Sequence, residues 1–270
     1  VNVNSPSDAE LIVQKIPCDI GIHRNPRKGT LNGAEKILED YEFSRNTLVD
    51  EVFTDEFSLE NTHRRIEDNT NNLLNCFKPL ISLGGDHSVS YPVIMALKRR
   101  NPGMKLVWLD AHLDLKEKIG NHVSHDVVIR ELLLRNGFSE DEIYFIGITE
   151  VDHDEEEFLE DRDLNIFMSN ELEEFKREFD SSEQPVYLSI DIDALKKEVA
   201  PGTGYPDGKL KTKQVQEIIK NINPQYADIV EVAPSLDKKQ KTVKASRKIL
   251  STLEKQIKPS KNNDLKEIKE

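Results

Sequence analysis

Lys105-Leu106-Val107-Trp108-Leu109-Asp110-Ala111-His112-Leu113-Asp114 reads as a short buried strand that runs straight into three polar side chains. Its apolar run is of strand length, and it is followed at once by chemistry-bearing residues. Extended chain points alternate residues to one face, so the spacing predicts that Asp110, His112 and Asp114 converge. Carboxylates held that close repel each other unless cations hold them together.

The same grammar recurs on both sides. Leu80 to Leu83 is an apolar run that ends in Gly84-Gly85-Asp86-His87-Ser88, where the glycines permit a sharp turn and bring His87 to the strand end. Val186 to Ile190 is another, and its alternation predicts that Asp191 and Asp193 share a face. A buried strand carrying two carboxylates on one face needs a compensating charge.

Short apolar runs alternate with helical patterns along the chain. Strands are expected at Leu11–Ile22, Pro79–Leu83, Lys105–Leu109, Glu142–Ile148, Leu164–Met168, Pro185–Ile192 and Ala227–Val232. Helices are expected at Gly33–Tyr41, Leu59–Cys76, Ser88–Arg100, Ser124–Asn136, Asn170–Phe179, Lys213–Asn221 and Thr242–Ile257. Asn136-Gly137 is the expected stop of the fourth helix. Asp152–Asp163 reads as a solvated loop or an acidic helix, without the spacing of a calcium loop. Strand–helix alternation implies a three-layer α/β/α fold around a mainly parallel sheet. One catalytic domain is expected over 1–257, with a polar tail at 258–270. In such sheets the carboxyl ends of the strands share one rim, where ligands bind.

The net charge of −13 argues against a nucleic-acid partner and an anionic membrane surface, since both need a basic face. It suits a soluble acidic surface, and equally a cationic small molecule or metal ions. Cys18 and Cys76 form no framework, which fits reduced thiols in the cytoplasm. No run approaches the roughly 20 apolar residues of a membrane helix, and Val1 to Glu10 shows no leader core.

The three clusters supply six metal-type side chains: His87, Asp110, His112, Asp114, Asp191 and Asp193. The set is oxygen-rich with two imidazoles and no thiolate, which favours Mn²⁺ over Zn²⁺ and suits Mg²⁺ less; Fe²⁺, Co²⁺ and Ni²⁺ remain possible. So many ligands exceed what one catalytic ion with an open position uses. Two ions roughly 3.5–4 Å apart use them well and make a nucleophile from water.

Taken in order and spacing, these motifs resemble the ureohydrolase family, which includes arginases and agmatinases. Pro201-Gly202-Thr203-Gly204, Glu231-Val232 with Pro234, and more loosely Arg27-Lys28-Gly29 with Gly33-Ala34 extend the likeness to about Leu250. The resemblance implies an arginase-like fold and two Mn²⁺ per chain. One ion would be held by His87, Asp110, Asp114 and Asp191, and the other by His112, Asp110, Asp191 and Asp193, with Asp110 and Asp191 bridging. A bridging hydroxide would attack the guanidinium carbon and urea would leave. His125 would return a proton to the leaving amine, with His122 as the alternative, and Glu231 would pair with the guanidinium. A homo-oligomer, trimer or hexamer, is also implied.

Two places depart from the family pattern. Lys196-Lys197 stand where an Asp-Pro pair is usual, and Tyr205 stands where a smaller residue is usual. The short loop from Leu115 to Ser124 most resembles archaeal-type agmatinases and points to agmatine. Arginine, guanidinobutyrate and formiminoglutamate remain open. Two other readings stay alive: an inactive ureohydrolase-like regulatory or assembly partner, and a one-zinc deacetylase-like amidohydrolase.

Overall fold

The computed structural model describes residues 1–22, 28–135, 137–181 and 184–259. The strands are β1 (Asn2–Val3), β2 (Leu11–Lys15), β3 (Thr47–Glu51), β4 (Leu80–Leu83), β5 (Lys105–Leu109), β6 (Ile143–Ile148), β7 (Asn165–Met168), β8 (Val186–Asp191) and β9 (Tyr226–Val230). They form one nine-stranded sheet in the order β1-β3-β2-β4-β9-β8-β5-β6-β7. Every neighbouring pair is parallel.

The helices are α1 (Gly33–Leu38), α2 (Leu59–Leu74), α3 (Ser90–Arg100), α4 (Val128–Arg135), α5 (His153–Leu159), α6 (Leu172–Glu178), α7 (Thr212–Ile222) and α8 (Lys241–Gln256). Alternation along each strand divides the core. Val107 and Leu109 pack with Ile37, Phe175, Ile218 and Leu253, from α1, α6, α7 and α8. Leu106 and Trp108 pack with Ile66, Leu97 and Ile129, from α2, α3 and α4. The sheet is therefore buried on both faces, and its strands read as near-continuous apolar runs for that reason.

Four central neighbours, β4, β9, β8 and β5, carry His87, Glu231, Asp191 and Asp110 at or just beyond their carboxyl ends. Strand order, which crosses long stretches of sequence, is what makes these residues adjacent.

Several expectations need correction. The strand expected over Leu11–Ile22 stops at Lys15. Pro17 has no N–H to continue a ladder, and the chain beyond it becomes a loop that grips the turn after β4. Cys18 accepts a hydrogen bond from Asp86 N at 3.0 Å, and Gly21 N donates to Asp86 Oδ2 at 3.0 Å. Strands β1 and β3 were not expected. Asp50 and Glu51 interrupt the apolar pattern of β3, a strand only partly covered near the sheet edge. Of the solvated loop and the acidic helix both expected over Asp152–Asp163, the helix is what forms, as α5. Asn136, Arg27 and the end of the tail, 260–270, lie outside the described residues.

The turn after β4 is packed to backbone contact. A Cβ on Gly85 would stand 1.7 Å from the Cys18 carbonyl oxygen, so the two loops could not keep their places. Gly85→Ala is expected to cost at least about 2 kcal/mol, the scale of an overpacked core site. A thermal melt indistinguishable from that of the parent chain would refute this reading of the contact.

Candidate active site

Asp110, Asp114, Asp191 and Asp193 are all buried. The geometry that gathers them differs from simple strand alternation. Strand β5 ends at Leu109, and Asp110 Oδ1 accepts a hydrogen bond from His112 N at 2.8 Å. Likewise Asp191 closes β8, and its Oδ1 accepts from Asp193 N at 2.7 Å. Each motif thus turns back on its first carboxylate in an Asx-type turn. Asp114 then takes a left-handed backbone, φ 53°, which re-aims its side chain into the group. One carboxylate oxygen shapes the turn and the other is left for the site.

Those second oxygens converge on His87. Its Nδ1 lies 3.0 Å from Asp110 Oδ2, 3.2 Å from Asp191 Oδ2 and 3.3 Å from Asp114 Oδ2. Yet His87 Nδ1 and Asp110 Oδ2 are buried without a properly directed hydrogen bond. On the other side His112 Nδ1 lies 3.1 Å from Asp193 Oδ2 and 3.4 Å from Asp110 Oδ1. The donors group as His87–Asp110–Asp191 and as Asp110–His112–Asp193, with Asp110 common to both. An orphaned imidazole nitrogen and carboxylate oxygen, beside two adjacent ligand groups that share Asp110, fit a pair of divalent cations. Asp114 adjoins the first group through His87.

The tautomer of His87 follows from its surroundings. Nε2 lies 2.9 Å from Ser189 Oγ, and Ser189 Oγ donates its only proton to Asp228 Oδ1 at 2.8 Å. Ser189 must therefore accept from His87 Nε2–H, which leaves the Nδ1 lone pair facing the carboxylates. Asp228 is itself held by Ser90 Oγ, the Tyr187 hydroxyl and Ile190 N. Trp108 stacks flat on the imidazole at 3.8 Å. Sequence reasoning missed Ser189 and Asp228. The available signal was a lone acid inside the apolar run Tyr226–Val230.

The electrostatics are those of a cation trap. Burial first, and repulsion from Asp110 next, push the Asp114 carboxyl up to about 8 and that of Asp193 up to about 6. Burial, then Asp193 and Asp110, raise Asp191 well above the carboxylate range. Burial also works against the ionised form of Asp110, but His112 and His87 outweigh it and hold its pKa low. For both imidazoles burial lowers the pKa, and the facing carboxylates overcome it, raising His87 and His112.

Above this floor lies a cavity of about 260 Å³. His112, His125, Tyr205 and Glu231 line it, together with Lys116, Glu150, Asp152, Glu155 and Asp207, which sequence reasoning did not single out. Glu231 adopts a left-handed backbone, φ 61°, and its Oε1 accepts from His87 N at 2.9 Å. His125 Nδ1 is 3.9 Å from that oxygen. His122 is exposed and lines a different cavity with Phe57 and Ile119. Tyr205 lies parallel to His125 at 6.2 Å and edge-on to His112 at 5.9 Å. Lys196 and Lys197 do not line the cavity; Lys196 is engaged in a bridge to Gly208.

A sequence profile of the Arginase family matches residues 9–254. The agmatinase of Bacillus anthracis is 34% identical over 193 residues, which is 68% of this chain and 66% of that protein, just under two thirds of its length. The agmatinase of Bacillus subtilis is 31% identical over 265 residues, 90% of each chain. Among solved structures, the agmatine ureohydrolase of Thermoplasma volcanium superposes with a TM-score of 0.78 at 25% identity, covering 93% of this chain and 91% of that one.

Two outcomes follow from the site's charge. A divalent cation must displace protons from Asp114, Asp191 and Asp193 and from the imidazoles of His87 and His112, so Mn²⁺ affinity should rise with pH, including the range between about 6 and 8 where Asp193 and Asp114 titrate, with proton release. Calorimetric titration in buffers of different ionisation enthalpy measures both, and a pH-independent affinity contradicts the charge assignment. Removing the Ser189 hydroxyl (Ser189→Ala) frees the His87 tautomer and should weaken Mn²⁺ binding by about 10–100-fold. Unaltered affinity in that variant would dismiss the hydrogen-bond relay.

Proposed function

The chain belongs to the arginase family, and on that premise we propose that it hydrolyses a guanidino C–N bond to release urea, with agmatine as substrate and two Mn²⁺ as its metals. The observation that carries this reading is the pair of ligand groups sharing Asp110 at the floor of an acidic cavity. His87, Asp110, Asp114 and Asp191 would hold one ion, and His112, Asp110, Asp191 and Asp193 the other. When bound, such a pair neutralises the carboxylates and supplies a water-derived nucleophile at neutral pH.

The remaining residues act on the substrate. Glu231 is anchored by the His87 amide and faces into the cavity. Burial, then Asp86, raises its pKa well above the usual range. A guanidinium arriving beside it restores the compensating charge, so the pair forms where a carboxylate alone is disfavoured. Water oxygen bonds to the guanidinium carbon, the bond from that carbon to the chain nitrogen breaks, and the amine leaves after gaining a proton. His125 delivers that proton. Its imidazole lies on the same wall as Glu231, whereas His122 points to a separate cavity.

Tyr205 stands against both His112 and His125 and narrows the space over them. Agmatine fits this cavity better than arginine on charge grounds, because most of the lining side chains are carboxylates. The family resemblance also carries the proposal of a homo-oligomer. No helix among the described residues is long and apolar enough to cross a membrane.

The Mn²⁺-loaded chain should release urea from agmatine faster than from arginine or 4-guanidinobutyrate, with formiminoglutamate assayed in parallel for ammonia. Two bound Mn²⁺ with no hydrolysis of any of them would make the chain a non-catalytic member of its family, and a single bound Zn²⁺ would favour amidohydrolysis. His112→Ala and Asp191→Ala should abolish urea release and lower metal content; full activity with unchanged metal would remove the proposed site. His125→Ala should slow turnover by about 10²–10⁴-fold, the usual worth of a general acid, while both ions stay bound. Loss of an ion would make His125 a ligand.

A further inference from the structure

The cavity lining holds one ammonium among many acids. Of the described lining residues, Lys116 is the one lysine or arginine. Its Nζ lies 2.6 Å from Asp152 Oδ2 and 3.8 Å from Asp154 Oδ1, on the loop and helix that follow β6. Its side chain is 26% exposed, so the charge is at the mouth and not in the floor.

The placement is held from several sides. Lys116 N donates to Asp126 O at 3.0 Å. Leu115 N donates to Glu155 Oε1 at 2.8 Å, and Arg130 Nη1 donates to Leu115 O at 3.2 Å. The backbone from which the ammonium swings is therefore fixed to both α5 and the turn before α4. The fixed backbone sets the point from which the flexible side chain reaches Asp152.

We propose that Lys116 is a specificity-determining residue: its ammonium competes with a substrate's distal cation for Asp152, and offers the mouth a partner for a distal carboxylate. The inference rests on the guanidine-hydrolysing reading of the floor, and concerns what that floor is offered. A diamine-type guanidine such as agmatine must share Asp152 with Lys116 or displace it. A guanidino acid meets a cation already in position. Both side chains are partly exposed, which makes the pair weak, so displacement is feasible and the selectivity is graded.

The test measures binding of 1,4-diaminobutane and 4-aminobutyrate to the Mn²⁺-loaded chain by calorimetry, with agmatine and 4-guanidinobutyrate KM values alongside. These two amines carry the opposite distal charges and are not hydrolysed. In Lys116→Met the diamine should bind about fivefold tighter and the amino acid about fivefold weaker, the scale of a solvent-screened ion pair. Lys116→Arg should keep the parent order of preference. Asp152→Asn should shift the ratio the other way, and it serves if Lys116→Met fails to give a cooperative melt. A ratio that moves less than about twofold in the folded variants overturns the proposal, as does the absence of binding by both amines to the parent chain. Failure of the parent chain to release urea from any guanidine overturns the catalytic reading instead, and the amine ratios still judge Lys116.

Discussion

Mutual repulsion among Asp110, Asp114, Asp191 and Asp193, all buried at the floor of the cavity, is the constraint on which the rest of this structure depends. Buried carboxylates at this spacing stay ionised together only beside compensating positive charge. Local features follow from that demand. One oxygen of Asp110 and one of Asp191 are spent on backbone amides, which fixes each carboxylate's direction. His87 is flattened against Trp108 and tied through Ser189 to Asp228, so its lone pair has one direction to face. Asp228 is a further buried acid, and it is tolerated for a different reason: hydroxyl and amide donors surround it.

The sheet supplies what the motifs cannot. His87, Glu231, Asp191 and Asp110 are far apart in sequence but belong to four adjacent strands. A parallel sheet delivers all their carboxyl ends to one rim, and apolar packing on both faces leaves that rim as the place for polar groups. Close backbone approach then matters more than side-chain packing. The loop around Cys18 meets Gly85 at backbone contact, which helps to locate the His87 turn, and the same loop reaches His125 through the Gly21 carbonyl.

The floor of the site was legible because its residue types are hard to explain otherwise. Asp-Ala-His-Leu-Asp after an apolar strand has few structural uses, and Asp191 with Asp193 has fewer. The mechanism of their convergence was not legible. Alternation predicts a shared face, whereas the chain leaves the strand and turns on its own carboxylates. Strand order was also hidden, since periodicity carries no information about which strands pair. Strand β3 escaped notice because Thr47-Leu48-Val49-Asp50-Glu51 mixes apolar and charged residues, as a partly covered strand may afford to do.

The rim shows why substrate choice is harder to read than metal binding. Lys196, Lys197 and Tyr205 all stood out as departures from the family pattern, yet only Tyr205 lines the cavity. Lys116, Glu150 and Asp152 line it and looked ordinary, because an exposed lysine or acid is what any surface loop contains. Their meaning comes from direction and distance, as when Lys116 lies 2.6 Å from Asp152 across two loops. A buried charge declares itself by its cost, so it can be found in a sequence. A charge in a solvated mouth costs little wherever it stands, and acts only through what it faces.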